Sequence, residues 1–585
     1  MFGSLLPALA VLPFSFMLGL SLLRFAQGAD RARAVVDAYL AWVLVSQASA
    51  ELFGYFQRIA FLPFLIVWGT ANFWVILELW PLRQRALSFW RGQVSLPGLI
   101  VAACLLTTLF IALTAAPSDW DSQIYHLPRI EHWIQNGSLE FYPTSIRQQN
   151  ETGPLAEVLL LQTRILGGSD ALYLLVQWAS MLCSLAAVLR ITRQLGGSKT
   201  QSWLAVVVLA TLPIGIVEST STRNDYVVAA LLACGVTLGL EALASPRSSL
   251  ALVVAAGAAI GLSGLANPVG FLLGSGFALW FVIGLSRRVP FSTWLIGAVA
   301  VAAVLALILG PFALRFLARR QGGPGDLASF AISGSFDVAY DDNFAISIHL
   351  MLVLAAVTIT GIRWRTAAPH RRAYLGAWLL GVIAFAAVLR FGIWMTRDHL
   401  PAFALAAPLV ALAWPERWAA GRKAAILLLG LTALPALFFN QGRELVPLWR
   451  NRPLAIDRDR PSYLGQSRDE RLFADQPSLL APYRDAVEVI ERSQASQVGL
   501  VLGGDSWEYP LWRMLRDRSP DRLLRIEHVD LPGEPRWPLG PFVPDLLFWN
   551  HEEAPPTIEI EGRQFTRLGP PGTIAVYVRV GVAVK

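Results

Sequence analysis

The chain has 585 residues and a net charge of +7, and 55% of its residues are hydrophobic while only 15% are charged. Soluble domains usually carry about 25% charged residues, so this composition excludes an ordinary soluble protein and indicates a polytopic membrane protein. The small positive charge falls mainly in short connections between apolar runs, which excludes the concentrated basic surface of a nucleic-acid-binding protein.

Hydropathy along the chain predicts about fourteen membrane-spanning helices. A helix that crosses a bilayer needs ~20 apolar residues. The first run lacks a basic leading segment and a clear small-residue cleavage site, so we expect a retained span and not a cleaved signal peptide. The predicted runs lie at 5–23, 35–54, 59–80, 96–116, 170–189, 203–218, 226–244, 249–266, 269–285, 293–314, 346–362, 373–394, 400–414 and 424–439.

Arginine and lysine residues fall in alternate connections between these runs, and the positive-inside rule places such connections in the cytoplasm. The rule puts the remaining loops on the outer face of the membrane, together with everything after Asn440. Arg319 and Arg320 are exceptions, because they lie in an outer loop. The outer loops that carry polar side chains are 117–169, 219–225, 315–345 and 395–399.

The segment from 441 to 585 has no apolar run long enough to span a membrane and is rich in Arg, Asp, Glu and Pro. We therefore expect a membrane domain over 1–440 and an extracytoplasmic α/β domain over 441–585. Helical and strand patterns alternate in the second domain, which is typical of a partly parallel sheet. The predicted helices are 483–492 and 507–516, and the predicted strands are 498–502, 524–526, 545–548 and 574–580.

The first outer loop begins with Asp119-Trp-Asp121, which places two carboxylates directly after a predicted span. Ionisable groups at membrane depth are rare and usually functional, and several separate loops carry them on one side. We expect these loops to form a shared pocket, whereas the alternative is that they are simply solvated. The other ionisable residues of these loops include His126, Arg129, Arg147, Glu151, Arg223, Asp225, Asp337, Asp341, Asp342, Arg397 and His399.

The first outer loop contains a recognisable series of residues, namely Asp121, Tyr125, Arg129, Trp133, Gly137, Tyr142 and Pro143. This series resembles the first periplasmic loop of family 39-type glycosyltransferases of the GT-C superfamily, whose relatives include protein O-mannosyltransferases and lipid A aminoarabinose transferases. In that family an Asp-Glu pair opens the loop. Asp121 matches the catalytic Asp of the pair, and Ser122 replaces the usual Glu.

Later segments continue the resemblance, which covers roughly residues 96–415. Asn224-Asp225 looks like the family's second acidic position, and 261–268 looks like a Gly-Leu-rich run that ends in Thr-Lys in relatives. The segment 397–401, Arg-Asp-His-Leu-Pro, looks like a late Arg-Tyr-Leu-Pro segment. The segment Gly153-Pro154-Leu155 falls where relatives often carry Lys-Pro-Pro-Leu, so the lysine is missing here, and we expect an arginine to replace its contact with the donor phosphate.

The resemblance implies a GT-C-like helical membrane fold and an inverting sugar transfer from a polyprenyl-phosphate donor. The acceptor would be an extracytoplasmic lipid, glycan or protein. The partners implied are therefore the donor, the acceptor and membrane lipids, with no nucleic acid. We also expect a bacterial inner (plasma) membrane location, with the active site and the C-terminal domain on the periplasmic side.

Such a transfer needs a carboxylate that takes the proton of the acceptor. The resemblance assigns this role to Asp121, and Asp119 is the alternative base. Asp225 is expected to orient a base or to bind a divalent cation, since carboxylates suit hard cations, although it is nearly as well suited to cap its helix. A divalent cation is therefore a candidate cofactor, while the metal requirement stays open.

The transfer also needs cations near the departing phosphate, because negative charge develops there in the transition state. Arg397 is our first choice, since it begins the family-like segment in an outer loop. The residues expected to contact the donor phosphate are Arg397, His399, Arg147, Arg129 and Arg223. The residues expected to shape the first outer loop are Tyr125, His126 and Tyr142.

The spacing of cysteine and histidine residues defines no metal site. Cys104, Cys183 and Cys234 lie inside apolar runs and form neither a disulfide framework nor a CxxC pair. His126 and His132 are six residues apart with no third ligand in pattern, so a zinc site there is a weak alternative.

Two other classes of protein remain open. Many spans and intramembrane charges also suit a transporter or a flippase of lipid-linked glycans. Such proteins usually show internal repeats with broken helices, and this sequence shows no repeat. A non-catalytic membrane scaffold that displays its C-terminal domain is the second alternative.

Overall fold

The structure is a computed structural model that describes residues 6–91, 95–245, 249–319, 347–389, 393–447, 457, 461–493, 495–520, 522–532, 535–551, 554–569 and 572–582. Packing divides the chain into two compact units. The helical unit consists of Met1–Ser49, Phe64–Ala115 and Gly153–Leu464, and the mixed unit consists of Ala50–Pro63, Ala116–Thr152 and Gly465–Lys585. This division is discontinuous in sequence, unlike the predicted domains 1–440 and 441–585, because most of the first outer loop packs with the C-terminal segment.

The described residues form twenty-three α-helices. The helices before residue 152 are α1 (Leu6–Leu9), α2 (Leu12–Ala26), α3 (Arg31–Tyr55), α4 (Phe61–Leu79), α5 (Arg83–Leu87), α6 (Leu96–Thr114), α7 (Leu127–Asn136) and α8 (Gln148–Glu151). The next are α9 (Leu155–Gly167), α10 (Leu175–Gln194), α11 (Lys199–Ala210), α12 (Pro213–Glu218), α13 (Asp225–Ala244), α14 (Leu250–Ala266), α15 (Val269–Ser286) and α16 (Phe291–Arg319). The last are α17 (Ser347–Ile362), α18 (Pro369–Val388), α19 (Leu400–Ala413), α20 (Ala419–Phe438), α21 (Arg468–Leu472), α22 (Leu480–Ser493) and α23 (Tyr509–Arg518).

Eight helical segments of the described chain are long and apolar enough to cross a membrane, and they leave many large apolar side chains exposed. Apolar surface of this extent suits lipid and not water. The predicted count of about fourteen spans stays a prediction. The eight segments are Phe61–Trp90, Leu96–Thr114, Leu175–Gln194, Asp225–Ala244, Val269–Ser286, Phe291–Leu317, Pro369–Val388 and Ala419–Phe438.

Several of the predicted runs do not form single long helices, and the run 5–23, for example, is divided between α1 and α2. The run 203–218 is divided between α11 and α12, because Pro213 has no main-chain N–H to donate and begins the second helix. The run 400–414 corresponds to α19, which has 14 residues and contains Pro408. A helix of that length measures about 21 Å, which is less than the roughly 30 Å of a bilayer's hydrocarbon core.

Buried polar side chains join helices within the helical unit. The indole of Trp68 on α4 donates a hydrogen bond of 3.0 Å to the side-chain oxygen of Gln162 on α9. The hydroxyls of Tyr39 on α3 and Ser180 on α10 lie 2.8 Å apart. Polar groups inside an apolar assembly require such partners, since no water is available to them.

Charged residues near the ends of the early helices pair with one another. Asp37 accepts from Arg24 at 3.0 Å and from Arg33 at 2.6 Å, and Arg190 lies 2.9 Å from Glu241. Three arginines at or beside the connections that we predict to be cytoplasmic are thus held by acidic partners, Arg33 within its own helix and Arg24 and Arg190 on another helix.

The mixed unit contains one six-stranded sheet in the order β2-β1-β3-β6-β5-β4. Its strands are β1 (Gln497–Leu502), β2 (Arg525–His528), β3 (Leu546–Asn550), β4 (Thr557–Ile560), β5 (Arg563–Leu568) and β6 (Ile574–Arg579). The pairs β1–β2 and β1–β3 are parallel and the other three pairs are antiparallel, so the prediction of a partly parallel sheet is confirmed. The β4–β5 hairpin was not predicted. It turns at Glu561 and Gly562, which have positive φ angles of 51° and 72°.

The edge strand β2 is covered by a side chain of α7. The amide oxygen of Gln135 accepts from the main-chain nitrogen of Ile526 at 2.8 Å, and its amide nitrogen donates to the carbonyl of the same residue at 3.0 Å. One side chain thus occupies both main-chain groups of an edge residue, which would otherwise be open to pairing with another strand. The first outer loop is therefore attached directly to the sheet of the mixed unit.

Helices α15 and α18 of the helical unit approach each other closely at two glycines. A Cβ atom added to Gly276 would lie 2.0 Å from the carbonyl oxygen of Ala377, and one added to Gly381 would lie 2.3 Å from the carbonyl oxygen of Leu273. Small residues allow helix backbones to pack this closely in membranes, where association depends on van der Waals contact and not on the exclusion of water.

We expect Gly381→Ala to destabilise the helical unit by ~1–3 kcal/mol, because the added methyl group forces the two backbones apart. Gly376→Ala is the matched control on the same helix, since a Cβ atom there meets nothing within 4 Å. The measurement is the fraction of full-length protein that stays monodisperse in detergent after heating. Equal midpoints for the two variants would contradict the assigned crossing of α15 and α18.

Candidate functional site

The two aspartates of the first outer loop have different environments in the mixed unit. Asp119 is fully buried, and its Oδ1 accepts hydrogen bonds from both the main-chain nitrogen of Ser122, at 3.2 Å, and the Ser122 hydroxyl. These bonds fix the start of a π-helical turn over Ser122–His126, which continues into α7. Turns of this type are uncommon and occur often at functional sites.

Asp121 lies at the start of the same turn and is only half-buried. The Tyr125 hydroxyl donates a hydrogen bond of 2.9 Å to Asp121 Oδ2. A phenol that donates to a carboxylate restricts its rotation and favours its charged form. Of the two aspartates, Asp121 is the one that water or a substrate can reach.

The residues that we predicted to shape the loop are packed around this turn. His126 is buried, and its ring centroid lies 4.2 Å from that of Tyr125. Tyr142 is also buried, with its ring stacked on His132 at 4.2 Å and its hydroxyl 3.0 Å from Gln149 Oε1. These contacts give each aromatic residue a structural role in the loop.

Two of the predicted phosphate-binding arginines of this loop have other partners in the structure. Arg129 is buried and donates to the carbonyl oxygens of Gln149 and, at 2.9 Å, of Thr152. Arg147 is 78% exposed and lies 3.1 Å from Glu151 one helical turn away, a surface pair of the kind that contributes little stability. Arg129 therefore holds the end of the loop, and Arg147 lies on the surface.

Sequence reasoning missed a buried carboxylate, Glu508, which lies just before α23 in the mixed unit. Its Oε1 accepts from His132 Nε2 and Trp512 Nε1, both at 2.8 Å. Its Oε2 accepts from Gln149 Nε2 at 2.6 Å and from His528 Nε2 at 3.1 Å. No spacing in the sequence could show this, since His132 and Glu508 are 376 residues apart.

The charge of Glu508 is stabilised by these neighbours. Burial would raise the pKa of this carboxyl, but the charges of His528 and His132 and the hydrogen bonds from both rings outweigh burial and lower the pKa below its ordinary value of 4.5. The pKa of Glu527, which precedes His528 on strand β2, shifts in the opposite direction. Burial raises its pKa, and the charges of His132 and Arg525 offset this only in part.

Among the described residues, this cluster is a candidate metal site, because it brings together three side chains of the types that bind metal ions. One ligand atom each from His132, Glu508 and His528 lie within 4.8 Å of one another, and two imidazoles with a carboxylate suit zinc. The fit is incomplete, because both oxygens of Glu508 already accept two N–H groups each, and the buried Nδ1 of His132 has no hydrogen-bond partner to orient the ring as a ligand. We therefore interpret the cluster as a hydrogen-bonded network.

The remaining predicted residues belong to the helical unit. Asp225 is buried in the first turn of α13. Arg223 is buried and donates to Glu218 at 2.9 Å, so its charge is already matched. A second buried arginine, Arg443, donates to the carbonyl oxygen of Thr220 in the same loop, which sequence reasoning did not anticipate.

Arg397 and His399 lie in a 3-10 helix over Ile393–His399, directly before α19. Arg397 is half-buried, and His399 Nδ1 lies 3.2 Å from the carbonyl oxygen of Thr396. The predicted acidic residues Asp337, Asp341 and Asp342 lie outside the described residues. The shared pocket of the four outer loops stays a prediction.

Close packing of the backbone at position 153 explains why this residue is a glycine. A Cβ atom at Gly153 would lie 2.3 Å from the carbonyl oxygen of Leu265 and 2.7 Å from that of Ala266. A residue with a side chain does not fit at this position without a shift of the backbone.

The fold and the site define a class of protein: a helical integral membrane protein with a mixed α/β unit that carries a half-exposed aspartate–tyrosine pair. Among solved structures, the chain is similar to the crystal structure of ArnT from Cupriavidus metallidurans bound to undecaprenyl phosphate, with a TM-score of 0.45, 15% sequence identity, and coverage of 73% of this chain and 89% of that chain. The apo state of the same protein gives a TM-score of 0.44 at 15% identity, covering 73% of this chain and 88% of that one. No protein-family model and no curated protein matches the sequence.

We expect acid to destabilise the mixed unit through Glu508. Its pKa in the fold is below the ordinary 4.5, so its charge stabilises the fold above pH 4.5, and this contribution is lost as the pH falls below that value. The melting temperature of the full-length protein in detergent should therefore fall between about pH 6 and pH 3.5, and less steeply in Glu508→Gln.

Glu488→Gln is the control, since Glu488 is half-exposed on α22 beside Arg492, and this variant should follow the wild-type slope. Glu527 has the opposite effect on stability in all three proteins. Its pKa is raised in the fold, so its carboxyl is easier to protonate there, and this stabilises the fold at low pH. A slope in Glu508→Gln equal to that of the wild type would contradict the prediction.

Proposed function

We propose that this chain is an integral membrane glycosyltransferase that moves a sugar from a polyprenyl-phosphate donor to a lipid, glycan or protein acceptor, with inversion at the anomeric carbon. The observation that carries the proposal is the contact between Asp121 and Tyr125 in the turn over Ser122–His126. It occurs at the aspartate that the family resemblance marks as the base, and it leaves that aspartate half-exposed.

In the proposed reaction, Asp121 takes the proton of the acceptor hydroxyl while the acceptor oxygen attacks the anomeric carbon. The bond between that carbon and the phosphate oxygen breaks, and the prenyl phosphate leaves with the electron pair. Asp119 is less suited to this task, because it is buried and its Oδ1 is already bonded to Ser122. Tyr125 would keep the Asp121 carboxylate oriented throughout the reaction.

The leaving phosphate requires cations, and Arg397 is our first choice among the predicted arginines because it begins the family-like segment 397–401. Arg129 is committed to two carbonyl oxygens, Arg223 to Glu218, and Arg147 is largely exposed. Arg397 is half-buried at the entrance to α19, beside His399. A planar guanidinium can bind two phosphate oxygens together. A divalent cation bound through Asp225 remains part of the proposal as an additional source of positive charge.

The eight apolar helices support a donor that is itself anchored in lipid, because both would then share one membrane. We place the enzyme in the bacterial inner membrane, with its active site on the periplasmic side, on the distribution of basic residues between the predicted spans. Labelling of single cysteines with an impermeant thiol reagent in intact cells tests this orientation.

Asp121→Asn should lower the rate of transfer by ~10²–10⁴-fold without lowering the melting temperature, because the amide keeps the shape of the side chain but does not accept a proton. The measurement is single-turnover release of prenyl phosphate from the donor in detergent, followed by chromatography. Asp119→Asn is the matched control and should stay within about tenfold of the wild type, since the amide oxygen still accepts from Ser122.

The reverse order of the two variants would identify Asp119 as the base. Wild-type protein that binds the donor but releases no prenyl phosphate with any acceptor extract would contradict the enzyme and favour a transporter.

Arg397→Lys should lower the same single-turnover rate by ~10-fold although the charge is kept, and Arg397→Ala should lower it further, because a lysine cannot form two parallel bonds to one phosphate. Arg147→Lys on the exposed surface is the control and should leave the rate within about twofold of the wild type. Full activity of Arg397→Ala would remove Arg397 from the site.

A further inference from the structure

The C-terminal segment contacts the turn that carries Asp121 on both sides of that residue. The main-chain nitrogen of Glu508 donates to the carbonyl oxygen of Gln123 at 3.0 Å. The ring of Trp507 packs edge-on against that of Trp120, with 5.5 Å between the centroids. All of these residues belong to the mixed unit. Residues 507 and 508 therefore hold the turn one residue before and two residues after Asp121.

The next carbonyl of the turn is held by a side chain that Glu508 itself positions. Gln149 Nε2 donates to the carbonyl oxygen of Ile124 at 3.0 Å and to Glu508 Oε2 at 2.6 Å. Pro128 has no main-chain N–H and stands five residues after Gln123 and four residues after Ile124, so the carbonyls of these two residues lose a donor from within the helix. Here two consecutive carbonyls are satisfied, one by Glu508 and the other by Gln149.

We propose that Glu508 is a positioning residue for Asp121: it fixes the shape of the turn over Ser122–His126 and so keeps the Asp121 carboxylate on the hydroxyl of Tyr125. The inference rests on the proposed function, in which Asp121 is the base. It gives the C-terminal segment a part in catalysis through the loop, separate from any binding of substrate by the segment itself.

The carboxylate of Glu508 is suited to this task because its four hydrogen bonds come from separate elements. His132 lies on α7, Gln149 on α8, Trp512 on α23 and His528 on β2. Glu508→Gln keeps the size of the side chain but replaces one acceptor oxygen by an N–H donor. That donor would face two other N–H donors, so the variant disturbs the side-chain contacts that support the turn while the main-chain bond from residue 508 to Gln123 can remain.

We expect Glu508→Gln to lower kcat by ~10²-fold while the KM for the donor changes little, since small displacements of a reacting group have effects of this size. The acid limb of the pH profile of kcat should also move to higher pH, because a weaker bond from Tyr125 raises the pKa of the base. A variant that only lost stability would reduce the amount of active protein but would leave this limb unchanged. Glu488→Gln on α22 should show neither effect.

Gln149→Leu is a second, independent variant, which removes the bond to the Ile124 carbonyl and leaves Glu508 in place. It should change kcat and the pH profile in the same direction. When Gln149→Leu is combined with Glu508→Gln, the fold-loss in kcat should be smaller than the product of the two single fold-losses, because both residues act on one turn. Fully multiplicative effects would overturn the proposal, because they would mean that the two residues act separately.

Hydrogen exchange distinguishes failure of this inference from failure of the proposed function. Amides of residues 119–127 should exchange faster in full-length Glu508→Gln than in the wild type or in Glu488→Gln, with no donor present. If wild-type protein transfers no sugar, the proposed function fails, and faster exchange in Glu508→Gln still establishes that Glu508 fixes the turn. Unchanged exchange, or an active wild type with unchanged kcat and pH profile in Glu508→Gln, overturns the inference.

Discussion

A buried carboxylate is stable only where its charge and its lone pairs are matched, and this requirement organises the mixed unit. Glu508 meets it with four N–H donors from four elements, two in the first outer loop and two in the C-terminal segment. Loss of one donor would leave the charge under-satisfied in a dry environment, so the network is expected to form as a whole or not at all. The sheet, the turn that carries Asp121 and the short helix α8 are therefore parts of one body.

The helical unit follows different physics, because lipid tails give apolar side chains no reason to prefer one another. Close backbone contact at Gly276 and Gly381 and hydrogen bonds such as that from Trp68 to Gln162 provide the specific interactions instead. Gly153 shows how strict such contacts are. The carbonyls of Leu265 and Ala266 leave no room for a Cβ atom there.

Sequence reasoning succeeded where the signal was local and periodic. Long apolar runs marked the long helices, and short apolar runs located β1, β2, β3 and β6, because both signals depend on neighbouring residues. The β4–β5 hairpin was missed since its strands are short and largely polar on their exposed side. The contrast between Asp119 and Asp121 could not be predicted, because it depends on which carboxylate Ser122 bonds. Glu508 was beyond reach, since nothing near it in sequence distinguishes it from a surface acid at the start of a helix.

The separation of 376 residues between His132 and Glu508 also sets an order of events during synthesis. The turn at Asp121 leaves the ribosome long before its support exists, and at ~5–20 residues per second the delay is on the order of tens of seconds. During that time helices α9 to α20 of the helical unit are made, while Gln149 and the carbonyl of Gln123 lack their partner Glu508. A chain that stops before residue 508 never completes the turn. The ribosome thus finishes the helical unit of this protein before Asp121 in the mixed unit can take its final position.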